Sequence, residues 1–108
     1  GVEAELDIEY IKAVAPATPL TDIYSSSYSL LNWGNQITSL SSPPLVHSVS
    51  YGNDEAQQTS TAYMESVNTV FMKAGTMGIS ILFASGDQGV CGREGCGSFN
   101  IKFHPDFP

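Results

Sequence analysis

The chain has 108 residues, of which 42% are hydrophobic and 14% are charged, a composition typical of one small globular domain or of part of a larger one. Eleven acidic residues against four basic ones give a net charge of −7, so the chain lacks the basic stripe that nucleic-acid binding needs. Its apolar runs fall short of the roughly 18 residues that a membrane span requires. Neither nucleic acid nor a membrane is therefore an expected partner.

The first forty residues predict a helix, a short strand and a second helix. Residues 3–14 carry apolar side chains at helical spacing, among them Tyr10, and the two prolines that follow end this helix. Residues 20–24 are a candidate for a short strand, although polar side chains interrupt the pattern. Residues 27–40 return to helical spacing, and we expect Trp33 to belong to the core.

The rest of the chain predicts a strand, a long helix and a second strand, followed by a loop. Residues 45–51 form the first strand and residues 79–84 the second, whose nearly continuous apolar sequence is expected of a strand covered on both faces. Residues 59–76 between them place six apolar side chains on one helical face: Tyr63, Val67, Val70, Phe71, Ala74 and Met77. This order favours a right-handed βαβ unit and an α/β fold with a parallel sheet.

Polar and glycine-rich segments follow both predicted strands, at residues 50–54 and 85–89. Parallel strands end at the same edge of a sheet, and ligands bind beyond that edge. We therefore expect the two segments to share one site.

Glu3 and Asp7 are the first candidates for chemistry, because a spacing of four places them on one face of the predicted helix. Two carboxyl groups that meet in a partly desolvated cleft share one proton, and such a pair acts as general base and then as general acid. The alternative is a solvated helix face on which both groups are only surface charges. Spacing alone does not separate the pair from Glu5 and Glu9.

Asp87 is the second candidate, because it follows an apolar strand at the expected site edge. One interpretation is a turn-capping residue. The other is an aspartic acid that stays protonated and donates a hydrogen bond to a developing oxyanion. His47 lies within a strand and is expected to pack, and His104 has no partner motif, so the sequence predicts no metal site.

Cys91 and Cys96 lie in a glycine-rich stretch, and their spacing suits a disulfide that closes a short loop. A zinc site would need closer cysteine pairs and further ligands. Free thiols and bonds to cysteines elsewhere in a longer protein are alternatives that the sequence leaves open. A disulfide would place the protein in an oxidising compartment.

Three segments resemble the sedolisin family of serine-carboxyl peptidases: Glu-Ala-Glu-Leu-Asp at 3–7, Val-Ser-Tyr-Gly at 49–52 and Phe-Ala-Ser-Gly-Asp-Gln-Gly at 83–89. Residues 60–78 and 103–108 are most similar to the tripeptidyl-peptidase branch of that family. The resemblance implies a subtilisin-like α/β fold and peptide-bond hydrolysis in acid.

The resemblance also implies roles for individual residues. Glu3 would be the base that takes the proton of the nucleophile, Asp7 would share that proton, and Asp87 would be the acid of the oxyanion hole. Residues expected to contact the substrate are Ser50, Tyr51, Gly52, Ser85 and Gly86.

The family's nucleophilic serine lies in a Gly-Thr-Ser motif, which does not occur in this chain. We therefore expect residues 1–108 to be an internal segment of a catalytic domain, inactive alone, whose serine comes from the rest of the domain or from a second chain. The resemblance implies a calcium ion bound outside this chain, no cofactor within it, and a lysosomal or secreted protein. The alternative is a non-catalytic α/β binding or scaffold domain that retains the fold.

Overall fold

A computed structural model describes residues 1–99 and 101–108. The described residues form three helices and four short strands, in this order: α1 (Val2–Val14), α2 (Leu30–Ser39), β1 (Val46–Val49), β2 (Asn53–Asp54), α3 (Thr61–Thr76), β3 (Ser80–Phe83) and β4 (Asp106–Phe107). Short 3-10 turns lie at Glu55–Gln57 and Gly89–Cys91. The predicted mixed α/β architecture is confirmed.

Serine side chains set the first residues of α2 and α3. The Ser29 hydroxyl accepts the backbone N–H of Asn32 at 3.2 Å, and the Ser60 hydroxyl accepts that of Tyr63 at 3.1 Å. Each bond satisfies a backbone donor that the first helical turn leaves free. Both helices therefore begin two to three residues later than their apolar patterns predicted. After α3, Gly78 adopts a φ of 78°, a left-handed conformation that ends the helix.

β1 and β3 form the predicted parallel pair, with α3 as the connection between them. The register runs from Val46 opposite Ser80 to Val49 opposite Phe83. Both strands therefore direct their carboxyl ends, and the segments that follow, to one edge of the sheet.

The core lies where α2 and α3 pack on each other and on the sheet. Ile37 and Ala74 are fully buried and Ile79 nearly so. Partly buried side chains surround these three: Ile23, Trp33, Met77 and Ile81. Trp33 meets Phe71 and Phe83 edge to face, which confirms that it belongs to the core.

Three predictions about the elements were wrong. Residues 20–24 form no strand, because they have no ladder partner among the described residues, although Ile23 packs on the core. The segment after β3 is not all loop, since β4 pairs antiparallel with β2. β3 is not covered on both faces in this chain, because Leu82 is 59% exposed.

The helix α1 differs from the other two in its packing. Its apolar side chains do not enter the core, and Tyr10 is 68% exposed. Each helix within residues 1–99 and 101–108 is too short or too polar to cross a lipid bilayer.

Candidate functional site

The acidic side chains of α1 fall into two classes by burial. Glu3 and Asp7 are half-buried and line a groove between α1 and β1, here called the α1 groove. Glu5 and Glu9 are exposed on the other side of the helix. The helical period therefore turns one of two equally spaced pairs inward, which the sequence alone could not determine.

Asp7 is joined to the end of β1 by a direct hydrogen bond. The Ser50 hydroxyl donates to Oδ2 of Asp7 at 2.6 Å. Ser50 directly follows β1, so this bond ties the inward face of α1 to the carboxyl edge of the sheet. The two residues are 43 positions apart in sequence.

Asp87 lies at the same edge, beside a small cleft with a volume of about 30 Å³. Its lining residues are Ser50, Gly52, Ala84, Gly86, Asp87, Arg93 and Asp106, and we call it the Ser50 cleft. A space of this size holds one water molecule or one carbonyl oxygen. The segments after β1 and β3 thus meet, as the parallel sheet predicted, and Ser50 is common to the cleft and to the contact with Asp7.

Gly86 determines how closely the chain approaches this cleft. Its φ of 84° is a left-handed conformation that favours glycine. The Asp106 carboxylate lies against its Cα, in the space that a Cβ atom would fill. Asp106 of β4 therefore adds a second carboxyl group to the wall beside Asp87.

Asp54 anchors the loop that follows Asp87. Its fully buried carboxylate accepts the backbone N–H groups of Arg93 and Glu94, each at 3.0 Å. These two hydrogen bonds favour the ionised form of Asp54 and lower its pKa. The bond from the Arg93 backbone N–H contributes most. Gly92, with a φ of 59°, brings the backbone against the same carboxylate.

A disulfide between Cys91 and Cys96 closes that loop, so the proposed pairing is confirmed. Beside it, His104 Nδ1 lies 3.2 Å from Glu94 Oε2, a partner that the sequence did not reveal. Ligand atoms of Asp54, Glu94 and His104 lie within 4.8 Å of one another, a donor set that would suit a divalent cation. Because Asp54 already accepts two N–H groups and His104 already pairs with Glu94, we assign the cluster a structural role.

Tyr28 fixes the orientation of the segment after β1. Its hydroxyl donates to the Tyr51 carbonyl oxygen at 3.1 Å. Partial burial raises the pKa of Tyr28 above its ordinary value of 10.0. The Tyr51 carbonyl is therefore occupied, whereas Ser50 and Gly52 line the cleft.

Sequence reasoning missed Tyr28, Asp54, Arg93 and Asp106. Asp54 carried a signal, since it belongs to a segment already expected at the site edge. The other three carried none, because their roles depend on contacts between distant parts of the chain. His47, in contrast, packs as predicted: it is 7% exposed, and its Nε2 donates to the Pro44 carbonyl oxygen at 2.8 Å.

The chain is similar over most or all of its length to proteins named tripeptidyl-peptidase 1. The chain is 44% identical to tripeptidyl-peptidase 1 of Rattus norvegicus and 41% identical to that of Homo sapiens, in both cases over 116 aligned residues that include all of the chain. It is 40% identical to tripeptidyl-peptidase 1 of Dictyostelium discoideum over 105 residues that include 93% of the chain. No protein-family model matches the chain.

The chain spans about a fifth of the length of the first two of these relatives, and 17% of the third. The similarity therefore concerns one segment of a much longer protein, but it covers that segment from end to end. The predicted resemblance is confirmed: this chain is homologous to a segment of tripeptidyl-peptidase 1, in the sedolisin family.

Proposed function

We propose that the chain is the acid–base segment of an acid-acting serine-carboxyl peptidase with a subtilisin-like catalytic domain. One observation carries the proposal: Ser50 both bonds to Asp7 and lines the cleft beside Asp87. Asp7 from α1 and Asp87 from the loop after β3 thus both adjoin Ser50, at the carboxyl edge of the sheet. A peptide bound at this edge would reach both side chains.

Glu3 and Asp7 act in this proposal as a pair that holds one proton. The nucleophilic serine, supplied by another part of the protein, attacks the peptide carbonyl carbon while Glu3 accepts the hydroxyl proton. Glu3 then passes this proton to the departing amine, and water hydrolyses the acyl-enzyme by the same steps. Asp7 orients Glu3 and shares its charge, as aspartate does for histidine in a Ser-His-Asp triad.

Asp87 stabilises the tetrahedral intermediate. As the acid of the oxyanion hole, its carboxyl group donates a hydrogen bond to the oxyanion, and stabilisation of this kind contributes strongly to the rate of acyl transfer. The size of the Ser50 cleft supports this role, because about 30 Å³ accommodates a single oxygen atom.

The substrate is a peptide in extended conformation that pairs with the backbone of residues 50–52. Ser50 and Gly52 present their backbone groups to it, while Tyr51 contributes its side chain, since Tyr28 occupies the Tyr51 carbonyl. Gly86 lines the Ser50 cleft. Ser85 is exposed and does not line that cleft, and its contact with the substrate stays a prediction.

The remaining segments of the catalytic domain, or a second chain, supply the serine, and calcium binds outside residues 1–108. The disulfide supports an oxidising location, such as a lysosome or the outside of the cell.

Replacement of the three acids in the longer protein that carries this segment tests the proposal. We expect Glu3→Gln and Asp87→Asn each to lower kcat for peptide cleavage in acid by roughly two to three orders of magnitude, as the removal of an oxyanion donor does. Asp7→Asn is expected to lower it similarly.

Glu5→Gln and Glu9→Gln are matched controls on the same helix and should leave kcat within about twofold. The isolated 108-residue chain, which lacks the serine motif, should show no turnover. If Glu3→Gln and Asp87→Asn retain full activity, the segment is a non-catalytic binding or scaffold unit and the proposal is wrong.

A further inference from the structure

We propose that the side chain of Ser50 is a positioning residue that fixes the carboxylate of Asp7 for proton sharing with Glu3. This inference rests on the proposed function and assigns the Ser50 hydroxyl a role that its backbone does not have. Ser50 lines the cleft beside Asp87, and its hydroxyl donates to Asp7 of α1.

The first support is the geometry of the bond. The Ser50 hydroxyl donates to Oδ2 of Asp7 at 2.6 Å, a short O–H···O distance. The hydroxyl proton therefore occupies a lone pair of Oδ2. The shared proton of the pair is thereby directed to Oδ1 of Asp7 and to Glu3.

The second support is the rigidity of the donor. The Val49 carbonyl accepts the N–H of Ala84 at 3.0 Å, and the Tyr51 carbonyl accepts the hydroxyl of Tyr28 at 3.1 Å. Ser50 is thus held on both sides by contacts from other elements. A donor on a fixed backbone positions its acceptor more accurately than a donor on a free loop would.

The third support concerns α1, the helix that carries Asp7. Every side chain of α1 stays at least partly exposed among the described residues, so the core of this segment alone does not determine the rotation of the helix about its axis. The Ser50–Asp7 bond ties the helix to the sheet at the position where the orientation of Asp7 matters. Small misplacements of reacting groups cost as much as 100-fold in rate, so this restraint has a kinetic consequence.

The test uses Ser50→Ala and Ser50→Thr in the longer protein, with Ser48→Ala as the control. Ser48 is an exposed serine on the adjoining strand β1. We expect Ser50→Ala to lower kcat about 10- to 100-fold while KM stays within about twofold, because the substrate-facing backbone is unchanged. Ser50→Thr keeps the hydroxyl and should retain kcat within about fivefold of the wild type, and Ser48→Ala within about twofold.

A double-mutant cycle separates positioning through Asp7 from a general structural role. If Ser50 acts through Asp7, then Ser50→Ala added to Asp7→Asn lowers kcat by less than about twofold further. Additive losses, a rise in KM at unchanged kcat, or full activity of Ser50→Ala would each overturn the inference. If Glu3→Gln and Asp87→Asn are also fully active, the proposed function fails as well; if they are inactive, only the positioning role fails.

Discussion

At the scale of single residues, burial distinguishes side chains that the sequence presents as equals. Glu3 and Asp7 have the same spacing as Glu5 and Glu9, but only the first pair faces the α1 groove. Spacing predicted that a pair exists, and resemblance to a family selected which one. The bond from Ser50 to Asp7 could not be predicted from spacing, because it joins residues 43 positions apart.

Asp54 gives a prediction at this scale. Its pKa is lowered from the ordinary value of 3.8, so its ionised form stabilises the folded state above that value. This contribution is lost progressively as the pH falls below 3.8 and then passes the lower pKa that Asp54 has in the folded state. The anchor therefore holds in mild acid.

Asp54→Asn should lower the Tm of the longer protein at neutral and mildly acidic pH, because an amide accepts only one of the two backbone N–H groups and directs a donor at the other. The variant's Tm should also fall less than that of the wild type when the pH is lowered below 3.8. Thermal unfolding between pH 2 and pH 6 measures both effects. Asp22→Asn, at an exposed position, is the control, and equal Tm profiles for Asp54→Asn and wild type would refute the anchor.

At the scale of elements, the apolar periods predicted α1, α2, α3 and the β1–β3 pair. α2 and α3 bury their apolar faces within this chain, whereas α1 does not. The strand expected at residues 20–24 did not form, because strand structure depends on a partner that a local pattern does not report. The pairing of β2 with β4 was equally invisible, since each contributes only two residues.

The crossing of α2 and α3 gives a prediction at this scale. A Cβ atom on Gly34 would lie 2.6 Å from Cγ1 of Val70, so Gly34→Ala overpacks the contact at a cost of about 1–3 kcal/mol. The intrinsic helix preference of alanine offsets part of this, about 1 kcal/mol. We expect a net loss of roughly 1 kcal/mol in the free energy of unfolding, measured by denaturant titration.

Gly75→Ala is the matched control within α3. A methyl group there meets no atom within 4 Å among the described residues, and helix preference alone should stabilise the protein by about 0.5–1 kcal/mol. Opposite signs for the two substitutions support the close approach of the helices. A stabilising Gly34→Ala would show that the crossing is looser than described.

At the scale of the whole molecule, the sheet resembles part of a larger one. Leu45 and Val49 direct their carbonyl groups to β3, where Ser80 and Ala84 donate to them at 2.8 and 3.0 Å. The two-residue period of a strand therefore turns the backbone of Val46 toward the outer edge of β1. Val46 is also 70% exposed, and among the described residues this edge borders the α1 groove.

Under the proposed function, this surface is the part of the segment that the rest of the catalytic domain covers. The same interpretation accounts for the exposed apolar residues of α1 and for Leu82 on β3. It also explains why the prediction of a doubly covered β3 disagrees with the structure of this chain. A periodicity reflects the environment in which a sequence evolved, and under this interpretation that environment includes the rest of a longer protein.

The convergence of the acids is tested most directly by a crystal structure, at acid pH, of the longer protein bound to a peptide aldehyde that forms a hemiacetal with the nucleophilic serine. We predict that the hemiacetal oxygen lies about 2.7–3.1 Å from the Asp87 carboxyl group, a hydrogen-bonding distance. Glu3 should contact the serine, with Asp7 still bonded to Ser50. A bound aldehyde whose oxygen is remote from Asp87, with Glu3 and Asp7 away from the serine, would contradict the account.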